Sequence, residues 1–341
     1  MRFPAGGRAT LSRRGEISLV EEIRKRFSTK SKRIKIGIGD DAAVVSLPEG
    51  GQCPLAATTD MMVEGVHFDL SYTTAYQLGF KLISVNVSDI YAMAGRPLYA
   101  LLDMALRGDM EESFLREFLD GVGAACRLYK VSLIGGDLSS TPDRISLSAT
   151  LLGSVRKPVT RAGARPGDSV YVTGALGDSA GGLLLLKRLK RRIDFNRPLD
   201  KPLPWETMEP LLRRHLMPVA KDPLGFKTAR AMIDISDGLL IDLTRLCKES
   251  VAGVTIYEEM IPVSEELKAA ASYLKVDALS LALSGGEDYE LLFTSPAKDL
   301  HAIKPVIKIG EITRSGRYIV QRNGRKKRME PGGYAHFKAK T

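Results

Sequence analysis

Cysteine is scarce in this sequence. The three cysteines, Cys53, Cys126 and Cys247, lie far apart and form no Cys-x-x-Cys pair. This spacing argues against a disulfide framework and against a zinc site, so we expect core thiols in a reducing, cytoplasmic compartment. No apolar run approaches the roughly 18 residues that a membrane-spanning helix needs, so we expect no membrane partner. Residues 1–15 lack the apolar middle of a secretory signal, and we expect them to be disordered.

The familiar nucleotide-binding loops are also absent. The chain has no Gly-x-x-x-x-Gly-Lys-[Ser/Thr] loop and none of the His-Arg-Asp and Asp-Phe-Gly elements of protein kinases. Its formal charge of +10 predicts a surface that attracts anions, such as nucleic acids, membranes or phosphorylated small molecules. Because the basic residues are spread out, with no basic stripe interleaved with aromatic residues, we expect no nucleic-acid partner.

Helical and strand patterns mix in both halves of the chain, which indicates an α+β fold. A length of 341 residues favours two domains, each large enough for its own core. We place the boundary at Lys157-Pro158, where a basic turn meets a proline, which predicts domains at 1–157 and 158–341. Apolar periodicity predicts a helix over 74–93, although polar residues, including Asp89, interrupt its apolar pattern.

Acidic residues recur where predicted strands and helices meet turns. Five segments combine an apolar element, a small residue and a carboxylate: Gly39-Asp40-Asp41, Thr58-Thr59-Asp60, Ser88-Asp89, Gly135-Gly136-Asp137 and Asp234-Ile235-Ser236-Asp237-Gly238. Taken singly, each carboxylate is more often a cap or turn residue than a ligand. If they converge they require a cation, because two carboxylates about 4 Å apart repel by about 4 kcal/mol at an effective dielectric of about 20.

The type of donor indicates which cation this would be. Hard oxygen ligands without nearby histidine or cysteine select magnesium over zinc. Magnesium held by carboxylates usually takes phosphate oxygens as further ligands, so the acidic segments point to a nucleoside triphosphate.

These segments also resemble a known family. Seven collinear stretches closely resemble the thiamine-monophosphate kinase family of the PurM-like (aminoimidazole ribonucleotide synthetase-like) superfamily, and the resemblance extends from about Gly15 to Phe337. They are GIGDDAA at 37–43, TTD at 58–60 with EGVHF at 64–68, NVSD at 86–89, GGD at 135–137, TRAG at 160–163, DISDG at 234–238 and SGGEDYEL at 284–291. The His67-Phe68 pair and the run at 284–290 favour the thiamine branch.

The resemblance implies a two-domain PurM-like α+β fold, with N-terminal domains paired in a homodimer and ATP against the dimerised half. It implies an enzyme, a thiamine-phosphate kinase, that converts thiamine monophosphate and ATP to thiamine diphosphate and ADP. By the family pattern, several magnesium ions would be held by Asp40, Thr58, Thr59, Asp60, Asp89, Asp137, Asp234 and Asp237. ATP would contact Gly136, Asp137, Arg161 and Ser236, and the thiamine substrate would contact His67 and Glu287.

The expected chemistry is direct in-line phosphoryl transfer. A phosphate oxygen is ionised near neutral pH, so no general acid or base is assigned, and catalysis reduces to positioning and charge neutralisation. Arg161 is the best candidate for a phosphate contact, because its guanidinium can bind two oxygens. Of the adjacent acids, Asp40 is the expected ligand, and we interpret Asp41 as a turn residue or a residue behind the ligands.

Two alternatives remain open at this point. One is another ATP-dependent enzyme of the PurM-like superfamily, although the selenophosphate branch is disfavoured because no cysteine lies near the N-terminal glycine-rich start. The other is a nucleic-acid or partner-binding protein that retains an ATP fold. The chain also departs from the family pattern at Pro331, where many members carry an aromatic residue.

Overall fold

The structure is a computed structural model that describes residues 21, 24–25, 31–46, 54–199, 201–223, 228–296 and 306–334. It contains two mixed helix-and-sheet halves, each with its own sheet and its own hydrophobic core. This confirms the α+β class. The first sheet ends at Ser154 and the second begins at Ser169; the exact boundary at Lys157-Pro158 stays a prediction.

Within the described residues of the first half, six strands form one sheet in the order β1-β2-β3-β6-β4-β5. Only the β4–β5 pair is parallel. The strands are β1 (Ile34–Ile36), β2 (Ala43–Val45), β3 (Leu55–Val63), β4 (Arg96–Arg107), β5 (Ser132–Thr141) and β6 (Ser146–Ser154). In β6 every second residue is buried, including Leu147 and Leu151, as expected for a strand with one face on a core.

Helix α1 (Ala75–Ala92) packs on this sheet, and helix α2 (Glu112–Tyr129) packs against α1. Thr74 caps α1 by accepting from the backbone nitrogen of Gln77, whose side chain accepts from the backbone nitrogen of Thr74 in return. The predicted helix over 74–93 is therefore confirmed, with its two end residues acting as caps. Helix α1 packs on β3, β6 and α2, and it also contacts strand β8 and helix α4 of the second half, described next.

In the described part of the second half, seven strands follow the order β13-β12-β9-β11-β7-β10-β8. They are β7 (Ser169–Val172), β8 (Ala231–Asp234), β9 (Gly253–Tyr257), β10 (Leu291–Ser295), β11 (Ile307–Thr313), β12 (Arg317–Val320) and β13 (Lys326–Arg328). The helices are α3 (Asp178–Leu189), α4 (Trp205–Leu216), α5 (Leu239–Glu249), α6 (Glu265–Leu274) and α7 (Ala278–Ser284), with a short 3₁₀ turn at Glu258–Met260.

Two of the predicted carboxylate turns lie inside strands instead. Thr58-Thr59-Asp60 is in the middle of β3, and Gly135-Gly136-Asp137 is in the middle of β5. Gly136 has a φ of +149°, and a Cβ there would lie 1.8 Å from the carbonyl oxygen of Leu102 on β4. This glycine therefore permits a close approach of two strands next to a register shift, where a side chain would not fit.

Among the described residues, no helix is both long enough and apolar enough to cross a bilayer. Cys126 and Cys247 are buried free thiols, as predicted, and Cys53 lies outside the described residues.

Candidate active site

A cleft of about 860 Å³ lies between the two halves of the chain. Helix α1 and strand β3 form one wall, while the loops after β8 and after α7 form the other. The predicted site residues that line it are Asp40, Thr58, Thr59, Asp60, His67, Asp89, Arg161, Asp234, Ser236, Asp237 and Glu287. Residues far apart in sequence are thus brought to one cavity.

Two predicted ATP contacts do not line this cleft. Gly136 and Asp137 are exposed on β5, which is an edge strand of the first sheet. The expectation that they share one site with Asp89 is therefore not met within the cleft of a single chain. The sequence predicts a turn for their segment, whereas the structure places it inside an exposed edge strand that does not line the cleft.

An acidic centre formed by Asp41, Asp89 and Asp234 occupies one end of the cleft. One carboxylate oxygen from each residue lies within 4.8 Å of the others. Thr58 Oγ1 donates to Asp89 Oδ2 at 2.6 Å, and Ser88 Oγ donates to Asp234 Oδ2 at 2.7 Å. Burial, followed by repulsion between neighbouring carboxylates, holds the pKa of both Asp89 and Asp234 well above the usual range.

The donor chemistry of this acidic centre fits magnesium. Its side-chain oxygens are hard ligands, and three acidic groups this close together need a cation to be stable in the charged form. Sequence reasoning placed Asp40 as the ligand of the adjacent pair, whereas Asp41 is the member that joins the centre. The adjacent acids Asp40 and Asp41 are apparent in the sequence, but which of them points towards the acidic centre depends on the backbone direction after β1.

Arg161 binds the adjacent acids from across the cleft. Its Nη2 and Nε donate to Asp41 Oδ1 at 2.9 Å and Oδ2 at 3.2 Å, so the guanidinium holds a carboxylate with both arms. Its backbone nitrogen donates to Asp40 Oδ2 at 3.2 Å. Burial, followed by repulsion from Asp41, raises the pKa of Asp40 to about 6. The sequence predicts a bidentate contact between Arg161 and phosphate, whereas in this structure Arg161 makes it with the carboxylate of Asp41.

A second arginine binds the loop that carries Asp237. Arg245 Nη1 on α5 donates to Asp237 Oδ2 at 2.6 Å and to Asp242 Oδ1 at 2.8 Å. Asp242 Oδ2 accepts from the backbone nitrogens of Asp237 and Gly238 at 3.1 and 3.0 Å. Sequence reasoning did not single out Asp242 or Arg245. The detectable signal was an acid in the first turn of a helix after a glycine, where it can accept free backbone N–H groups.

The other end of the cleft surrounds Glu287. Lys81 Nζ on α1 donates to Glu287 Oε2 at 3.0 Å, and His215 Nδ1 on α4 lies 3.2 Å from the same oxygen. Burial opposes ionisation of Glu287, but the charge and hydrogen bond of Lys81 together with His215 and His67 outweigh it and lower the pKa of this carboxyl. His67 Nδ1 accepts from the backbone nitrogen of Val63 at 3.0 Å, which leaves Nε2 as the protonated nitrogen of a neutral ring.

Comparisons with known proteins bear on this site. The family profile described as AIR synthase related protein, N-terminal domain, matches residues 39–155, and the corresponding C-terminal domain profile matches residues 165–323. The thiamine-monophosphate kinase of Aquifex aeolicus (strain VF5) is 38% identical over 326 residues, covering 95% of this chain and 98% of that relative. The thiamine-monophosphate kinase of Bacillus subtilis (strain 168) is 34% identical, covering 95% of this chain and 99% of that relative.

Solved structures agree with these sequence matches. AaThiL complexed with AMPPCP and TMP has a TM-score of 0.85 and 37% identity, covering 97% of this chain and 100% of that one. Hydrogenase maturation protein HypE in complex with ATP shares the fold alone, with a TM-score of 0.64 and 20% identity. Because the profiles match most of the chain and the relatives align over nearly their full length, this chain belongs to the thiamine-monophosphate kinase family of AIR synthase related proteins.

Proposed function

We propose that this chain transfers the γ-phosphoryl group of ATP to thiamine monophosphate, in a magnesium-dependent, in-line reaction that releases ADP. The observation that carries the proposal is one cleft with an acidic centre at one end and Glu287 with His67 at the other. AaThiL, the structural relative described as complexed with AMPPCP and TMP, supports these two substrates.

The acidic end is assigned to magnesium and the polyphosphate. Asp41, Asp89 and Asp234 would hold magnesium, together with the nearby predicted ligands Asp40, Thr58, Thr59, Asp60 and Asp237. When bound, magnesium neutralises charge on the phosphate oxygens and favours their close approach. Arg161 and Ser236 line the same region and are the proposed ATP contacts on this side.

The chain's own residues supply position rather than proton transfer. The acceptor is a phosphate oxygen that is ionised near neutral pH, so it needs no base. His67 and Glu287 would orient the thiamine part, and the acidic end would fix the phosphates, so that donor and acceptor meet in line. Inversion of configuration at the transferred phosphorus would support direct transfer, whereas retention would contradict it.

Turnover itself provides the first test. Purified full-length protein with ATP, magnesium and thiamine monophosphate is expected to release ADP and form thiamine diphosphate. Unphosphorylated thiamine is the matched control substrate and should give no product, because it lacks the acceptor phosphate. Chelation should abolish the activity and added magnesium should restore it. Well-folded protein that gives no turnover would contradict the proposal, and a better substrate from another superfamily branch would favour that branch.

The proposal also includes a homodimer built from the N-terminal halves. Strand β5 is an exposed edge strand, and its apolar residues Leu133, Ile134 and Leu138 are 44%, 55% and 60% exposed. An exposed edge strand with apolar side chains is a common site for pairing with a second chain. Pairing there would also explain why the predicted ATP contacts Gly136 and Asp137 lie on this strand rather than in the cleft of one chain.

Light scattering on the full chain tests the dimer. The wild-type protein should have the mass of two copies, and Leu138→Asp should shift it towards one copy, because a charge would be buried in the apolar contact. Val251→Asp is the matched control, since Val251 is 88% exposed in the second half. A monomeric wild-type protein, or a Leu138→Asp protein that remains dimeric, would contradict pairing through β5.

The cytoplasmic setting is part of the same proposal. The buried free thiols of Cys126 and Cys247 support a reducing compartment, because unpaired cysteines are typical of proteins kept reduced.

A further inference from the structure

Lys81 is a buried cation at the substrate end of the cleft. It lies on α1 of the first half and is only 3% exposed, whereas lysine side chains are almost never fully buried without a partner. Its partner is Glu287 of the second half, at 3.0 Å. The ion pair therefore crosses between the two walls of the cleft, and the sequence motifs assigned no role to Lys81.

The two members of this ion pair differ in exposure. The Lys81 side chain is 4% exposed, while the Glu287 side chain is 27% exposed and lines the cleft. Lys81 Nζ and His215 Nδ1 both contact Oε2 of Glu287. Oε1 is therefore the oxygen left to accept a hydrogen bond from a molecule in the cleft.

The backbone of Glu287 is also held in place. Its φ is +64°, a left-handed conformation that costs energy for a residue with a side chain. Its N–H donates to the carbonyl oxygen of Ser236 at 2.7 Å, which connects it to the loop that carries Asp237. The position of this carboxylate is thus determined from one side by its backbone and from the other by Lys81.

His215 contacts Glu287 as an uncharged ring. Burial, strengthened by the neighbouring Lys81 ammonium, lowers the pKa of His215 to about 3, so the ring is neutral at physiological pH. Ser179 Oγ on α3 lies 3.1 Å from the same ring nitrogen. The titratable groups around Glu287 and His215 are Lys81, His67, Tyr72, Tyr289 and Lys187.

We propose that Lys81 is a positioning residue for substrate binding: it holds Glu287 through Oε2 so that Oε1 can accept a hydrogen bond from thiamine monophosphate. This inference rests on the proposed function, which supplies the substrate. Because the Lys81 side chain is 4% exposed and its Nζ pairs with Glu287, its contribution concerns the affinity for the thiamine part rather than the transfer step. The ammonium also keeps Glu287 in the charged form that accepts hydrogen bonds most strongly.

The Lys81→Met variant separates an effect on thiamine monophosphate binding from an effect on ATP binding. We expect the KM for thiamine monophosphate to rise roughly tenfold or more, because a charge-assisted hydrogen bond is weakened, while the KM for ATP stays near its wild-type value. Lys81→Arg keeps the charge and should recover part of the affinity. Lys268→Met is the matched control, since Lys268 forms an exposed ion pair with Glu265 on α6.

The pH dependence is a readout that a purely structural role would not change. Without Lys81, burial raises the pKa of Glu287, so the carboxylate takes up a proton as pH falls. The ratio of the KM of Lys81→Met to that of the wild type should therefore increase on going from about pH 9 to about pH 6, because groups that titrate in both proteins cancel in this ratio. Nitrogen-15 NMR of the histidines should show the pKa of His215 rising in this variant, because the repulsion from Lys81 is removed.

A double variant keeps the inference testable if Lys81→Met folds poorly. Lys81→Met with Glu287→Gln removes both charges, and it should recover thermal stability but not the affinity for thiamine monophosphate measured by calorimetry. Wild-type protein without turnover would contradict the proposed function. If the wild type turns over but Lys81→Met has an unchanged KM and pH profile, the role of Lys81 would be overturned and the proposed function would stand. The same conclusion would follow if the wild type turns over and the double variant binds thiamine monophosphate with wild-type affinity.

Discussion

Asp89→Asn is expected to lower kcat/KM for thiamine monophosphate by at least about a thousandfold while the protein remains folded. Asp89 belongs to the acidic centre with Asp41 and Asp234, and the substitution removes one of the three charges that would hold magnesium. Asparagine has nearly the same volume, and its amide oxygen can still accept from Thr58 Oγ1, which donates to Asp89 at 2.6 Å.

Stability measurements distinguish this loss from unfolding. Because one of three mutually repelling carboxylates is removed, the melting temperature without magnesium should stay equal to that of the wild type or rise. The additional stabilisation that magnesium and ATP give to the wild type should be largely lost. Asp120→Asn is the matched control, since Asp120 is exposed on α2 away from the cleft. Full activity in Asp89→Asn would count decisively against the metal assignment.

Gly121→Ala is expected to lower the free energy of unfolding by about 3 kcal/mol or more. Gly121 lies where α2 crosses α1, and a Cβ there would sit 2.0 Å from the carbonyl oxygen of Tyr76 and 3.0 Å from the backbone nitrogen of Phe80. Backbone atoms cannot rotate away, so the two helices must separate. Because α1 also carries Asp89, activity should fall together with stability.

Gly123 on the same helix provides the control. A Cβ at Gly123 would meet only the end of the Arg127 side chain, at 3.3 Å, which can move aside. Gly123→Ala should therefore raise the free energy of unfolding by about 0.5–1 kcal/mol, through the higher helix propensity of alanine. Urea denaturation of both variants measures the difference. Equal shifts in the same direction would contradict the close approach of α1 and α2.

Elements with a clear local pattern were predicted well from the sequence. The helix over 74–93 is present with Thr74 and Met93 as its caps, because helical periodicity and capping depend on neighbouring residues. Helix α7 (Ala278–Ser284) was missed, since it is short and runs directly into a glycine pair. Strand β13 (Lys326–Arg328) reads as a basic tail in the sequence, because all three of its residues are charged and strands are usually poor in lysine, yet it forms a hairpin with β12.

Glycine-containing segments were the least predictable. Gly135-Gly136-Asp137 reads as a turn in the sequence, yet it continues β5 because Gly136 makes room for the neighbouring strand β4. A sequence window cannot distinguish a glycine needed for a turn from one needed for a close approach. For this reason the two predicted ATP contacts Gly136 and Asp137 lie on the exposed edge strand β5 instead of in the cleft.

The sequence by itself determined the chemistry of the site: many carboxylates, few histidines and cysteines, and a series of motifs that resembles one family. Only the tertiary structure decided which carboxylates meet, because Asp41, Asp89 and Asp234 come from a loop, a helix and a strand end whose relative directions depend on packing between the two halves. It also decided that Arg161 binds Asp41 and that Lys81 pairs with Glu287. Ion pairs between distant elements are set by non-local contacts, which no periodicity or spacing in the chain encodes.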